Sequence, residues 1–147
     1  MKIAIGSDHR GYALKQQIKD GLDPQRFDIT DAGTAGTESC DYTDFAFPVA
    51  EAVARGEAER GILICSSGNG MVIAANKVRG VRAATAFTPD MARLSRLHND
   101  ANVLAIPADY IDPGLVPQIV SVWLATPFEG GRHERRLNKI KEYEHAH

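Results

Sequence analysis

Gly61-Ile-Leu-Ile-Cys65 runs directly into Ser66-Ser-Gly-Asn-Gly70 and then into Met71-Val-Ile-Ala-Ala-Asn-Lys77. An unbroken apolar run closed by small, turn-forming residues reads as a strand buried on both faces. The segment after it reads as a helix. The same unit recurs outward in both directions. Lys2-Ile-Ala-Ile-Gly6 is a second such strand, followed by Leu14, Ile18 and Leu22 at four-residue spacing. Lys15, Gln16, Gln17 and Lys19 lie between them, the pattern of an amphipathic helix, and Gly21, Asp23 and Pro24 end it. Phe27 to Asp31 predicts a weaker strand, and Thr43 or Asp44 caps a helix carrying Phe45, Val49 and Val53 to near Gly56.

Downstream, Arg82 to Phe87 predicts a fourth strand. Thr88-Pro89-Asp90 supplies an N-cap, an N1 proline and a first-turn acid for a helix to about His98. Asn102 to Ile106 predicts the fifth strand. Asp112-Pro113 opens a helix whose core side is Leu115, Ile119, Val122 and Trp123, broken at Gly130-Gly131, and a charged helix follows from Arg132. Strands alternating with single helices imply right-handed crossovers and a parallel sheet covered on both faces. The expectation is a doubly wound, Rossmann-like α/β/α sandwich with five parallel strands and an extra C-terminal helix.

The 147 residues carry 17 basic and 19 acidic side chains, a formal net charge of -2, and 44% hydrophobic residues. One domain spanning 1–147 is expected, since a chain of ~150 residues buries roughly 70% of its unfolded surface. Near-neutral balance argues against an extended nucleic-acid or membrane surface, and no apolar run approaches the ~20 residues of a membrane span. The first strand begins at Lys2, leaving no room for a signal peptide. Cys40 and Cys65 make no disulfide framework, and no Cys/His spacing or acidic pattern reads as a metal site. A cytoplasmic domain with no metal and no cofactor is expected.

Ligands in such folds bind beyond the carboxyl ends of strands, where the strand order reverses. Ser7 to Arg10 and Cys65 to Gly70 are therefore the segments to test. A P-loop fails, because Tyr12 follows the Gly6–Gly11 spacing. A dinucleotide fingerprint from Gly68 meets Ile73 at its third glycine, and a cysteine phosphatase loop meets Met71 where its arginine belongs. What survives is a cysteine at a strand end before a Gly/Ser loop whose amides can face an anion. A thiolate base beside an oxyanion cradle suits proton abstraction next to a carbonyl. The alternative is a small core hydrophobe at a tight turn. Asp8-His9 can orient a sugar hydroxyl and meet a phosphate, or cap a helix. His98 can act in chemistry or complete the buried side of its helix, seven residues after Met91 and four after Leu94. Arg132 and Arg136 share a helix face, as solvated charge or as a phosphate clamp.

Taken together, Asp8-His9-Arg-Gly11 with Leu14-Lys15, Asp41-Tyr42, Cys65 to Gly70, Ile73 to Lys77, Leu94-Ser95, His98-Asn-Asp100 and Glu129-Gly-Gly-Arg-His133 closely resemble the ribose-5-phosphate isomerase B family. Galactose-6-phosphate isomerase subunits and allose-6-phosphate isomerases belong to the same larger family. The resemblance covers essentially the whole chain, in order. It implies metal-independent aldose–ketose isomerisation of a phosphorylated sugar through a cis-enediolate. By position, it makes Cys65 the base and His98 the acid that opens the sugar ring. Ser67 and the loop from Ser66 through Gly68 and Asn69 to Gly70 would stabilise the enediolate. Asp8, Tyr42 and Asn99 would hold the sugar, and His9, Arg132 and Arg136 the phosphate.

His98 and Asn99 precede strand five and so lie at the amino edge of the sheet, whereas Asp8 and Cys65 lie at the carboxyl edge. Five strand residues separate these edges by about 16 Å. A C2 homodimer with shared active sites resolves that distance, alone or paired into a tetramer. Three residues depart from the family pattern. Ser66 stands where glycine is frequent, Thr43 where proline is, and Asp109 where many members place a phosphate-binding arginine. Arg10 is the residue expected to compensate. These departures leave open another aldose, such as allose or galactose 6-phosphate, or a non-catalytic protein that binds a sugar phosphate.

Overall fold

A computed structural model describes Met1–His147. The elements alternate as expected: β1 (Lys2–Ser7), α1 (Tyr12–Gly21), β2 (Asp28–Asp31), α2 (Thr43–Ala54), β3 (Arg60–Cys65) and α3 (Asn69–Ala75). They continue with β4 (Ala83–Thr85), α4 (Pro89–Asn99), β5 (Val103–Pro107), α5 (Val116–Ala125) and α6 (Arg132–Ala146). All five strands are parallel, in the order β2-β1-β3-β5-β4. The chain leaves β1 toward one edge of the sheet and β3 toward the other. The reversal therefore falls between the carboxyl ends of β1 and β3.

Alternation along the strands splits the core into two layers. Ile3, Ile5, Ile62, Ile64, Leu104 and Ile106 face α1, α4 and α5, with Trp123 fully buried among them. Ala4, Leu63, Cys65, Val103 and Ala105 face α2 and α3. This is the expected three-layer sandwich.

Local departures each have a local cause. Thr43 and Asp44 do not cap α2. Tyr42 holds the N-cap position without a side-chain bond, so both lie inside the helix. β4 is three residues long rather than six; at its amino end the Arg82 amide turns to the Asn102 side chain at 2.7 Å. Asp112 caps a 3-10 turn at Pro113–Leu115 by accepting from the Gly114 amide, and α5 begins only after it. Its buried stripe is Val116, Ile119, Val120, Trp123 and Leu124, with Leu115 and Val122 half-buried. α5 ends at Ala125, before Pro127, and Gly130-Gly131 instead form the lead-in to α6. In α4 the buried positions are Ala92, Ser95 and Arg96. The stripe Met91–Leu94–His98 therefore faces outward from the core, and His98 does not complete a buried side.

Lys15 is the largest surprise. Expected on the wet face of α1, its side chain is 1% exposed. The ammonium donates to Asp31 at 2.8 Å and to the Thr34 carbonyl, and Lys19 meets the other Asp31 oxygen at 2.8 Å. Asp31 also accepts from the Gly33 amide, and Gly33 and Thr34 pair with Ser7. The lysine thus pins the 31–34 loop beside the end of β1. Burial opposes ionisation of Asp31, but Lys15 and Lys19 outweigh it and hold the carboxyl below its ordinary range. Because that value is depressed, the contribution is present above the unfolded carboxylate value of about 3.9 and fades as pH falls through the folded one. Lys15→Met is expected to destabilise the fold by about 2 kcal/mol at pH 7, less than a fully buried broken pair because Lys19 remains. Urea denaturation of both proteins at falling pH should show the gap narrowing. A gap independent of pH would assign Lys15 a packing role alone.

Candidate active site

The turn after β1 is tied directly to β3. The Asp8 amide donates to the Ile64 carbonyl, and a Cβ on Gly11 would stand 2.6 Å from Ile64, so only glycine permits this approach. Asp8 is buried, and one carboxylate oxygen accepts from the amides of Arg10 and Gly11 at 2.9 and 3.1 Å. That turn leaves the second oxygen without a protein partner. His9 accepts the Cys40 amide at Nδ1, 3.2 Å away. In the neutral ring this puts the proton on Nε2, which is left as a donor.

Cys65 ends β3, 5% exposed, at the rim of the α2/α3 core layer. Gly68 adopts φ +80, a left-handed conformation natural to glycine, and starts α3. The amides of Ser67 and Gly68 have no acceptor within the chain, while the Ser67 hydroxyl accepts from Asn69 at 3.3 Å. α3 has only seven residues, so free amides rather than a long helix dipole are what it brings to the loop. The Tyr42 ring covers Gly70, where a Cβ would lie 2.8 Å from it. Asp8, His9, Tyr42, Cys65, Ser66, Ser67, Gly68, Asn69 and Gly70 thus gather at one edge of the sheet.

The departures at Ser66 and Asp109 meet each other there. The Asp109 amide donates to the Ser66 carbonyl, and its carboxylate takes Nε and Nη2 of Arg10 at 2.9 and 2.7 Å. The Ser66 hydroxyl first, and Arg10 second, hold the Asp109 carboxyl below its usual range. Arg10 is therefore engaged by the acid it was expected to offset.

A second cluster forms at the end of α4. His98 stacks on His133 with ring centroids 4.3 Å apart, and Glu129 lies 3.8 Å from Nε2 of each ring. Burial first, then His98 and Arg132, hold His133 below the ordinary histidine range. Arg132 and Arg136 begin α6 beside it, exposed and without an ion pair. Asp100, at φ +46, closes α4 between Arg82 at 3.2 Å and the buried Arg96 at 2.8 Å. Arg96 also binds the Ala101 and Thr126 carbonyls. This frame fixes the turn that presents His98 and Asn99.

The two clusters are not brought together within one chain. Between the pairs Gly61–Val103 and Cys65–Pro107 the sheet advances four residues, about 13 Å, with His98 before the first pair and Cys65 in the second. An apolar groove of about 410 Å³ between α1 and α5 touches none of these residues.

Arg96 escaped the sequence reading, and Glu129, His133 and Cys40 entered it without a role in the site. Glu129 and His133 do carry an i, i+4 spacing, but Gly130-Gly131 between them hid it, since that spacing means proximity only on a continuous helix.

Residues 3–140 match the family model described as Ribose/Galactose Isomerase. The chain belongs to that family. It is 46% identical over 143 residues to ribose-5-phosphate isomerase B of Escherichia coli (strain K12), covering 97% of this chain and 96% of that one. The structure of Clostridium thermocellum ribose-5-phosphate isomerase B superposes with a TM-score of 0.96 at 52% identity, covering 99% of each chain. That of Mycoplasma genitalium ribose-5-phosphate isomerase B with bound ribulose 5-phosphate gives 0.93 at 42%, over 98% of this chain and 96% of the other. As a ribose/galactose isomerase family member, the chain is an isomerase. No helix is long and apolar enough to cross a membrane.

Proposed function

We propose that the chain interconverts ribose 5-phosphate and ribulose 5-phosphate, with each active site shared between the two subunits of a C2 dimer. The observation that carries this reading is Cys65 beside the unpaired amides of Ser67 and Gly68, at the same sheet edge as Asp8 and His9. A strand-end thiolate next to free donors suits a reaction in which a proton leaves carbon while charge grows on oxygen. The bound ribulose 5-phosphate of the Mycoplasma genitalium relative supports the choice of sugar.

In this mechanism the partner subunit's His98 protonates the ring oxygen of the furanose as the C1–O bond breaks, and the C1 hydroxyl loses its proton to give the open aldehyde. Cys65 takes the proton from C2. Charge passes to O1, where the Ser67 hydroxyl and the amides of Ser67 and Gly68 receive it. The proton returns to C1 as the O2 hydroxyl proton moves to O1, and the ketose results. Asp8, Tyr42 and the partner subunit's Asn99 hold sugar hydroxyls. His9 with Arg132 and Arg136 neutralises the phosphate, through the Nε2 proton of His9 and the guanidinium forks. Sharing is supported by the separation of the clusters: one holds Cys65, the proposed base, and the other His98, the proposed ring-opening acid.

The test is an isomerase assay with EDTA present on ribose 5-phosphate, with allose and galactose 6-phosphates in parallel. Ribulose 5-phosphate formation supports the reading. Turnover of a hexose phosphate alone moves the substrate, and ligand-induced thermal stabilisation without any turnover overturns catalysis.

Asp109 bears on affinity. It removes the charge of Arg10 beside a residue assigned to phosphate, so Asp109→Asn should lower KM by about threefold with kcat unchanged, from the loss of one repulsive charge across solvent. Arg10→Ala should raise KM. Steady-state kinetics of both variants decide the point, and unchanged KM in both rejects a phosphate role for the pair.

A further inference from the structure

The proposed mechanism uses His98 and Asn99 and gives no part to the residue that follows them. Neither the His98 ring nor the exposed Asn99 side chain hydrogen-bonds within the chain, the nearest charged partner of His98 being Glu129 at 3.8 Å. Where these two side chains point therefore depends on the backbone that ends α4. Asp100 sets that end. It closes the helix at φ +46 and is the one residue other than glycine with a positive φ. Glycine is the usual occupant of a left-handed helix terminus, because a Cβ is crowded there. An aspartate in that place gives up backbone ease, so its side chain must return something.

We propose that Asp100 is a positioning residue for ring opening: its carboxylate, held between Arg96 and Arg82, fixes the last turn of α4 so that His98 and Asn99 reach the site of the partner subunit. One carboxylate oxygen takes Nη1 of Arg96 at 2.8 Å, and the other takes Nη2 of Arg82 at 3.2 Å. Nε of Arg82 also donates to the Asp100 carbonyl at 3.0 Å, and Nη1 of Arg96 to the Ala101 carbonyl at 2.7 Å. The turn is thereby tied in two directions, to the lead-in of β4 by Arg82 and to the α5–α6 connection by Arg96 through the Thr126 carbonyl. The Arg96 side chain is 5% exposed and cannot turn to water in place of its carboxylate. Arg60 brings a third guanidinium to this edge: burial first and Arg96 second push it down to about 10, while Asp100 pulls it up. Without the carboxylate these cations repel one another around the turn, and the end of α4 is free to swing. The displacement falls on His98 and Asn99 and leaves Cys65, across the four-residue advance of the sheet, where it is. The inference rests on the shared site proposed above.

The experiment begins with Asp100→Gly, which eases the left-handed backbone and removes only the clamp. Its kcat on ribose 5-phosphate should fall at least about tenfold, since misplacing a reacting group by about 1 Å can cost 10²-fold. Deuterium exchange into C1 of saturating ribulose 5-phosphate needs no ring opening and should stay within about twofold of wild type. Asp100→Asn keeps a hydrogen-bond acceptor and tolerates the left-handed region. It should lie between the two, and it carries the same tests if the glycine variant does not fold. Subunit exchange with Cys65→Ala then locates the defect. In a mixed dimer the Cys65 of the Asp100→Gly chain meets the His98 of a chain whose Asp100 is intact. Activity should therefore rise from at most about a twentieth of wild type before exchange to about a quarter after it. A chain merely damaged in its fold would not complement. Wild-type turnover in Asp100→Gly, or an equal loss of turnover and exchange, overturns the positioning role. The mixture of Cys65→Ala with His98→Ala is the reference. If it fails to recover, the shared site falls and this inference with it; if it recovers and the Asp100 mixture does not, this inference falls alone.

Discussion

Cys65→Ala is expected to lower kcat on ribose 5-phosphate by about 10³-fold or more, with a much smaller change in KM. General-base transfer is worth roughly 10²–10⁴ in rate, and the proposed reaction has no second group to take the C2 proton. Alanine is the right replacement because the thiol sits at the rim of an apolar layer, where the hydroxyl of serine would seek a partner. Losing one buried sulfur costs about 1 kcal/mol of stability, so thermal denaturation should show a folded protein. Solvent exchange separates the two proton-handling steps. Wild-type protein in deuterium oxide should place deuterium at C1 of ribulose 5-phosphate, a sugar that needs no ring opening. Cys65→Ala should lose this exchange as well as turnover. His98→Asn should lose turnover of the cyclic aldose while keeping exchange into the ketose. A Cys65→Ala protein retaining a tenth of wild-type turnover would remove Cys65 from the role of base.

The second expectation concerns assembly. Cys65→Ala and His98→Ala homodimers should each be inactive, yet a mixture allowed to exchange subunits should recover about a quarter of wild-type activity. Random pairing makes half of the dimers mixed, and each mixed dimer holds one intact site and one doubly disabled site. Within a single chain the two residues lie on either side of a four-residue advance of the sheet. A site built inside one subunit would give no recovery at any mixing ratio, because no chain in the mixture carries both residues. The readout is activity against time after mixing, followed beside an exchange control with labelled subunits.

The legibility of this chain divides by the distance over which its interactions act. Gly61 to Cys65 announced a buried strand because both of its faces are apolar. Thr88-Pro89 announced a helix start because a cap is closed within four residues, and the Thr88 hydroxyl does accept from Met91. Strand–helix alternation then restricted the connections to right-handed crossovers, and with them the parallel sheet and the edge where Asp8 and Cys65 meet. Short-range order was enough for that much. The same reading missed that Lys15 is buried, because its partners at Asp31 and Thr34 lie 16 and 19 residues away. It expected Arg10 to offset the acid at Asp109 from a distance, whereas the two pair directly across 99 residues. His98, Glu129 and His133 are joined only by the return of α6 onto α4. Local propensity and hydrophobic periodicity belong to neighbouring residues and can be read along the chain. The pairing of charges and the stacking of rings depend on which surfaces the crossovers bring together, and tertiary packing alone decides that.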